Sequence, residues 1–323
     1  MAHEVENMAY AGQIPWHGLG TKVNNDISVD DMLKESGLNW YVTKQALYIG
    51  QGQDDLDSPP DYSYREIPLK ALVRNTDDKI LTYVGAKWNP VQNKEAFEFF
   101  REWVEAGDME MHTAGSLLGG KKVWVLAKLK DTFEVVSDDR IEGYMLFTNP
   151  HEFGTSLNIR FTPTRVVCNN TLQIALGGRA NGYSLDHRKP FDPREVKLTM
   201  GLVQDSMKDY EVNARILSKN YYKQESLNEY FAELFPKSKY EKETPQYLGV
   251  PSQKHRLANR YLMSQPGSDY GFGTWWHAFN TVTYLYDHKL GRNDTSRLNS
   301  NFYGTGMQEK RKAFTKALEY ASK

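Results

Sequence analysis

Cations and asparagines gather where the chain reads Phe161 to Gly178, FTPTRVVCNNTLQIALGG. The β-branched Thr162, Val166 and Val167 predict the end of a strand, and Leu172, Ile174, Ala175 and Leu176 predict a short apolar helix stopped by Gly177-Gly178. Asn169 and Asn170 are placed to cap that helix. Arg165, with Arg160 on the strand before it, would then face the helix's free N–H groups, which is an anion-holding arrangement. The plain structural alternative is that Arg165 pairs with a surface carboxylate and the asparagines only cap. Lys121 and Lys122 at a glycine turn, and Arg179, Arg188 and Lys189 downstream, extend the candidate cationic set. Between Phe161 and Lys189 only Asp186 is acidic. Such cations suit a phosphate backbone, although a lysine pair at a hairpin also serves to discourage edge pairing.

Other side chains could do chemistry of a different kind. His17, His112, His151, His187, His277 and His288 are scattered, with Asp287 beside His288. No HExxH, no nucleophile elbow, no GxGxxG and no GxxxxGK[ST] occurs, so no metal, nucleotide or other cofactor is expected. Cys168 is the single cysteine, which excludes an internal disulfide and a cysteine zinc cluster. Its neighbours Val166 and Val167 argue for a buried, inert thiol.

The 323 residues carry a formal net charge of −1, so no general attraction to nucleic acid or anionic membrane is encoded, and any such binding must be local. No apolar run is long enough to span a bilayer, and the N-terminus lacks a charged-then-apolar signal pattern. A cytoplasmic, reducing setting is the expectation.

The elements that would position these groups follow from periodicity and punctuation. An acidic segment over residues 1–63 contains Trp16-His17-Gly18-Leu19-Gly20-Thr21 and a helix capped by Ser28 and ended by Gly37. Strands are expected at 39–50, 69–75 and 79–86, the last two joined by Thr76-Asp77-Asp78, with a loop over 50–64. Asn93 is expected to cap a helix burying Ala96, Phe97, Phe100, Trp103 and Val104. Residues 109–136 read as a hairpin turning at Leu118-Gly119-Gly120. Its return strand sets Lys122, Trp124, Leu126 and Lys128 on one side and Lys121, Val123, Val125, Ala127 and Leu129 mainly on the other. Two further strands, near 141–149 and 156–167, complete the expected sheet.

Beyond Arg179 the pattern is helical: a long helix from Pro193 to about Ser218, and one with a Ser226/Glu229 capping box. A short basic helix carrying Lys254, His255, Arg256 and Arg260 follows, then the aromatic segment Thr274–His288 and a last helix, 308–322, with Lys310, Arg311, Lys312 and Lys316 on one side. The aromatic segment suits either an interface or a core. The expected fold is α+β: a twisted antiparallel sheet with an inserted helix over 1–190, and a mainly helical region over 191–323.

Three motifs occur together and in order: Trp16-His17-Gly18-Leu19-Gly20-Thr21, Arg165-Val166-Val167-Cys168-Asn169-Asn170-Thr171-Leu172, and Trp276-His277-Ala278-Phe279-Asn280 followed by Asp287-His288. The chain thereby resembles an uncharacterised family of phage- and plasmid-encoded proteins named for an N-terminal Leu-Gly-Thr motif. The resemblance implies a mobile-element context and carries over no activity or catalytic residue. At the level of strand order the chain also resembles phage single-strand annealing proteins, which set a twisted sheet and a helix around a basic groove and assemble into rings. The resulting expectation is a binder of single-stranded DNA, an oligomer or ring that anneals strands in recombination. An enzyme with a histidine site and a phage interaction or structural protein are the alternatives.

Overall fold

The computed structural model describes residues 5–12, 19–51, 63–165, 170–171, 183–292, 297, 300–301 and 304–323. The fold is α+β, as expected, and the chain divides into two compact units, each made of separate stretches of sequence. Unit 1 comprises residues 1–127, 146–159 and 183–197, and unit 2 comprises 128–145, 160–182 and 198–323. Two internal stretches, 128–145 and 160–182, belong to unit 2, and the chain leaves unit 1 for the last time after residue 197.

The main sheet is a meander with an N-terminal addition. Strands β6 (Met109–Leu117), β7 (Lys122–Glu134), β8 (Arg140–Pro150) and β9 (Leu157–Arg165) lie side by side in chain order. On β6 lies β1 (Val5–Ala11), antiparallel, and β2 (Thr21–Val23) pairs parallel with β1. At the other edge β10 (Asn170–Thr171) and β11 (Tyr183–Leu185) both pair antiparallel with β9. The alternation expected in β7 is present: Val123, Val125, Ala127 and Leu129 are buried, whereas Lys122, Trp124, Leu126 and Lys128 are half-buried. Asn170 is a correction to the expected capped helix start, because it pairs with Arg165 and continues the sheet. The segment expected to follow as a helix, with Asn169 and Cys168 before it, lies outside the described residues, as do His17 and the proposed loop between residues 51 and 63.

Within unit 1 a second sheet, β3 (Val42–Gln51), β4 (Ser63–Arg74) and β5 (Ile80–Gly85), is antiparallel throughout. Arg74 is buried at its base and donates to both carboxylate oxygens of Glu6 at 2.9 Å and to Asp77 Oδ1 at 2.8 Å. These charge-assisted, bidentate bonds satisfy a guanidinium that burial alone would disfavour. Helices α1 (Val29–Glu35) and α2 (Asn93–Ala106) pack on one another. Ser28 caps α1 as expected, accepting from Asp31 N–H at 3.1 Å. For α2 the cap position is Gln92, not Asn93: the Glu95 carboxylate accepts the Gln92 N–H at 2.6 Å. Asn93 is instead buried, and its Nδ2 donates to the carbonyls of Leu38 at 3.1 Å and Trp40 at 3.3 Å. Phe97, Phe99 and Phe100 fill the core beside Phe147, and Gly107 closes the helix in the left-handed region at φ 75°.

Unit 2 is built on helices α3 (Pro193–Lys219), α4 (Gln224–Leu234), α5 (Lys239–Glu243), α6 (Gln253–Leu262), α7 (Trp275–Tyr284) and α8 (Thr305–Ala321). The capping box expected at Ser226 is absent. Helix α4 begins earlier, with Lys223 at the cap position. The aromatic segment is core rather than interface: Trp275 through Thr283 are all buried. Trp276 Nε1 donates to the buried Asp139 at 2.7 Å, and Phe279 and Tyr210 both pack on Phe314 of α8. After Tyr284 the helix widens into a π-helical turn, Leu285–Lys289. Lys310, expected on the basic side of the last helix, is fully buried with Nζ 2.6 Å from Asp287 Oδ1.

The Asn93 amide holds Leu38, Trp40 and His151 in unit 1 with no solvent to replace it. Asn93→Ala is expected to destabilise the protein by about 2–3 kcal/mol in urea unfolding, because buried polar groups lose their partner; a change below about 0.5 kcal/mol would contradict this.

Candidate nucleic-acid interface

The structure divides the expected cations between the units. In unit 1, Lys121 is half-buried in the β6–β7 turn, and its carbonyl accepts the His151 N–H at 2.7 Å. Lys122 opens β7 and is half-buried. Arg188 is exposed, but its Nε donates to the two Asp186 oxygens at 3.0 and 2.9 Å. Arg188 in turn holds Asp186 down at about 2, so this pair presents little net charge. Lys189 is exposed, and its backbone N–H bonds Asp186 O at 2.9 Å. In unit 2, Arg160 is half-buried on β9, with Nη1 2.9 Å from Met307 Sδ. Arg165 ends β9 opposite Asn170. Asn169 and Arg179 lie outside the described residues.

Two of the scattered histidines, His151 and His187, are buried in unit 1. His151 Nε2 lies 2.9 Å from Asn93 Oδ1. Since the Asn93 amide nitrogen already donates to two carbonyls, its oxygen is the acceptor and His151 carries the proton on Nε2. His187 Nδ1 lies 3.1 Å from Asn89 O, and its ring stacks on Trp88 with centroids 4.3 Å apart. His151 Nδ1, His187 Nε2 and Asn149 Oδ1 are buried and have no partner among the described residues. Burial, with the neighbouring His187 adding to it, pushes the His151 imidazole down to about 3; burial also lowers His187. Both rings are therefore neutral near pH 7. In unit 2, His277 is tied into the core, with Nε2 2.7 Å from Leu262 O. No group of three or more metal-ligating side chains occurs among the described residues.

A cationic, aromatic surface does form in unit 2, on α6. Ser252 caps the helix by accepting His255 N–H at 3.1 Å, and His255, Ala258 and Leu262 bury one face against the unit. The rest of the helix surface exposes Arg256 and Arg260 opposite the buried face and Lys254 to one side of it, and the helix contains no carboxylate. None of these three cations forms an ion pair among the described residues. The Arg256 guanidinium stands 5.7 Å from the centroid of Tyr247, whose ring is 5.9 Å from that of Tyr240. Lys289, from the π-helical turn, lies 5.0 Å from the Tyr261 centroid and 5.4 Å from that of Tyr284. Cations set against aromatic faces in this way are favourable in themselves.

One acid close enough to feel the charge of Arg256 is Glu241, whose oxygens are occupied by backbone donors. It accepts Gln253 N–H at 2.6 Å and Ser238 N–H at 2.9 Å, bonds that hold it at about 2. The sequence shows these cations on a short helix but does not by itself single them out as a site. The available signal was the absence of acid from Gln253 to Leu262. The approach of Tyr247 and Lys289 was not legible, because both come from outside the helix.

A family model described as "Domain of unknown function (DUF932)" matches residues 80–303. The match starts beyond Leu19-Gly20-Thr21 and contains the other two motifs as well as α6. No curated protein and no solved structure matches the chain.

The neutral His151 has a consequence for acid stability. Its folded pKa lies below the unfolded value of about 6.5, so the unfolded chain takes up a proton first as pH falls. Its contribution is full above about pH 6.5 and is lost at about 1.4 kcal/mol per pH unit below that, a loss of roughly 3 kcal/mol by pH 4.5. Thermal or urea unfolding between pH 7 and 4.5 is expected to show this slope, and His151→Gln is expected to flatten it by about one proton. Parallel curves for the two proteins would contradict the assignment.

Proposed function

The chain belongs to the DUF932 family, and from that premise we propose that it binds single-stranded DNA, with the outward face of α6 as the contact surface. The observation that carries the reading is the exposure of Lys254, Arg256 and Arg260 on an acid-free helix, with Tyr247 beside Arg256, and Tyr261 and Tyr284 beside Lys289. A flexible strand needs cations along its phosphates and flat faces for its bases, and this surface offers both within one unit. The net charge of −1 argues for such a local patch and against a generally basic protein.

The likeness of the three motifs to a phage and plasmid family supports a role on mobile-element DNA. Single-strand annealing in recombination, by an oligomer or ring, is the finer form of the proposal and rests on the strand-order analogy alone. Binding by α6 does not require the expected cations of unit 1 to take part.

Fluorescence anisotropy of a labelled single-stranded oligonucleotide across a salt series tests the reading. Binding is expected to prefer single strands over duplex and to weaken steeply with salt. The double variant Arg256→Ala/Arg260→Ala is expected to shallow the log K against log salt slope by about 1.4, or two single-strand phosphate contacts. Arg188→Ala, whose guanidinium is already neutralised by Asp186, is expected to leave the slope unchanged. No binding at low salt, or an unaltered slope in the α6 variant, would overturn the proposal.

A further inference from the structure

At the border of the candidate interface the end of α7 departs from α-helical geometry. Over Leu285–Lys289 it makes a π turn, in which the Leu290 N–H bonds Leu285 O at 2.8 Å, five residues back. The Tyr286 carbonyl, which a regular helix would offer to that N–H, accepts from the Asn301 amide at 3.0 Å instead. Asp287, in the middle of the turn, reaches the fully buried Lys310 of α8, with Oδ1 2.6 Å from Nζ. Such turns are rare and are frequent at functional sites, and here two contacts from outside the helix hold one. Lys289 is the exposed residue that the turn re-aims. In an α-helix, residue i+5 lies about 140° around the axis from residue i, which would turn Lys289 away from Tyr284. The wider turn carries it back, and its Nζ stands 5.4 Å from the Tyr284 centroid and 5.0 Å from that of Tyr261. The two rings are themselves 5.5 Å apart, so one ammonium serves both.

We infer that the buried Asp287–Lys310 pair positions Lys289: it holds the π turn that sets this lysine beside Tyr261 and Tyr284, where it contacts phosphate as a further cation of the α6 surface. The phosphate contact rests on the single-strand reading of that surface; the positioning does not. A buried ion pair adds little net stability over apolar side chains of the same size, so what this one contributes is a fixed geometry. Asp287 and Lys289 belong to one turn, and drawing the first toward α8 fixes the direction of the second. Held beside two flat rings, the ammonium meets a phosphate where bases can stack, the combination that a single strand requires.

NMR of the full chain with isotope-labelled lysine ε-methylenes, assigned through Lys289→Arg, reads the placement of Lys289 directly. In the wild type its signal is expected upfield of exposed lysines, because the ring currents of two tyrosines shield it. Asp287→Asn/Lys310→Met removes both buried charges at nearly constant volume. In that variant the signal is expected to return to the exposed position, while the methyls of the buried Val282 keep theirs. If the double variant does not unfold cooperatively, Asp287→Asn alone serves, since burial already favours the neutral amine of Lys310. An unshielded wild-type signal, or shielding that persists in either folded variant, would overturn the inference. Oligonucleotide binding gives the second readout. Lys289→Ala is expected to shallow the salt slope by about 0.7, one single-strand phosphate contact, and to change it little in the double-variant background. An equal drop in both backgrounds would overturn the positioning role, and an unchanged wild-type slope would remove Lys289 from the contact. A shielded, pair-dependent Lys289 signal without any oligonucleotide binding would sink the nucleic-acid proposal and leave the positioning by Asp287 and Lys310 standing.

Discussion

Unit 2 depends on the complete burial of α7. From Trp275 to Thr283 every side chain is buried, so this helix has no solvent face and its neighbours must cover it all round. Tyr210 of α3, Tyr230 of α4 and Phe314 of α8 each pack into the cluster of rings around it. Polar atoms on such a helix must be satisfied locally. Trp276 Nε1 finds Asp139, and Thr281 and Asn280 bond carbonyls one turn back. Because α7 supplies so much of the apolar centre, α6 needs to bury only His255, Ala258 and Leu262 and is free to carry cations on the rest of its surface. The candidate interface is thus a consequence of where the core was placed.

Unit 1 solves a different problem, the burial of amide and imidazole groups. Asn93 and His151 share one bond, His187 is held by Asn89, and Asn149 Nδ2 donates to Val91 O at 2.8 Å. The three interactions lie along the segment from Asn89 to Asn93, which leads into α2. Such a network specifies a single arrangement of the chain, because each group left unpaired in the interior is costly. It also explains why these histidines are neutral and unsuited to attract a phosphate, while the exposed cations of the same unit stand apart or, like Arg188, are matched by an acid.

Local signals were legible where partners are near in sequence. The β7 alternation from Lys122 to Leu129, the Ser28 cap and the Gly107 stop all emerged as read, since each rests on residues within a turn or a strand of one another. The aromatic segment was legible as apolar, but its role as core needed the elements around it. Asn93 reads as a cap because asparagine before a helical pattern usually is one; its true partners, Leu38, Trp40 and His151, lie more than 50 residues away. Lys310 reads as a surface cation for the same reason, since Asp287 precedes it by 23 residues. Among the site residues, the charge of α6 was visible and its aromatic border was not, because Tyr247, Tyr284 and Lys289 reach it only through tertiary packing.

The most direct test of α6 as the contact surface is to irradiate the full chain with a bound single-stranded oligonucleotide and map the crosslinks by mass spectrometry. Aromatic side chains stacked on bases are the groups positioned to react. The account predicts adducts at Tyr247, Tyr261 or Tyr284, suppressed by competing unlabelled strand and by high salt. Adducts confined to peptides of unit 1, or no adduct above the duplex control, would contradict it.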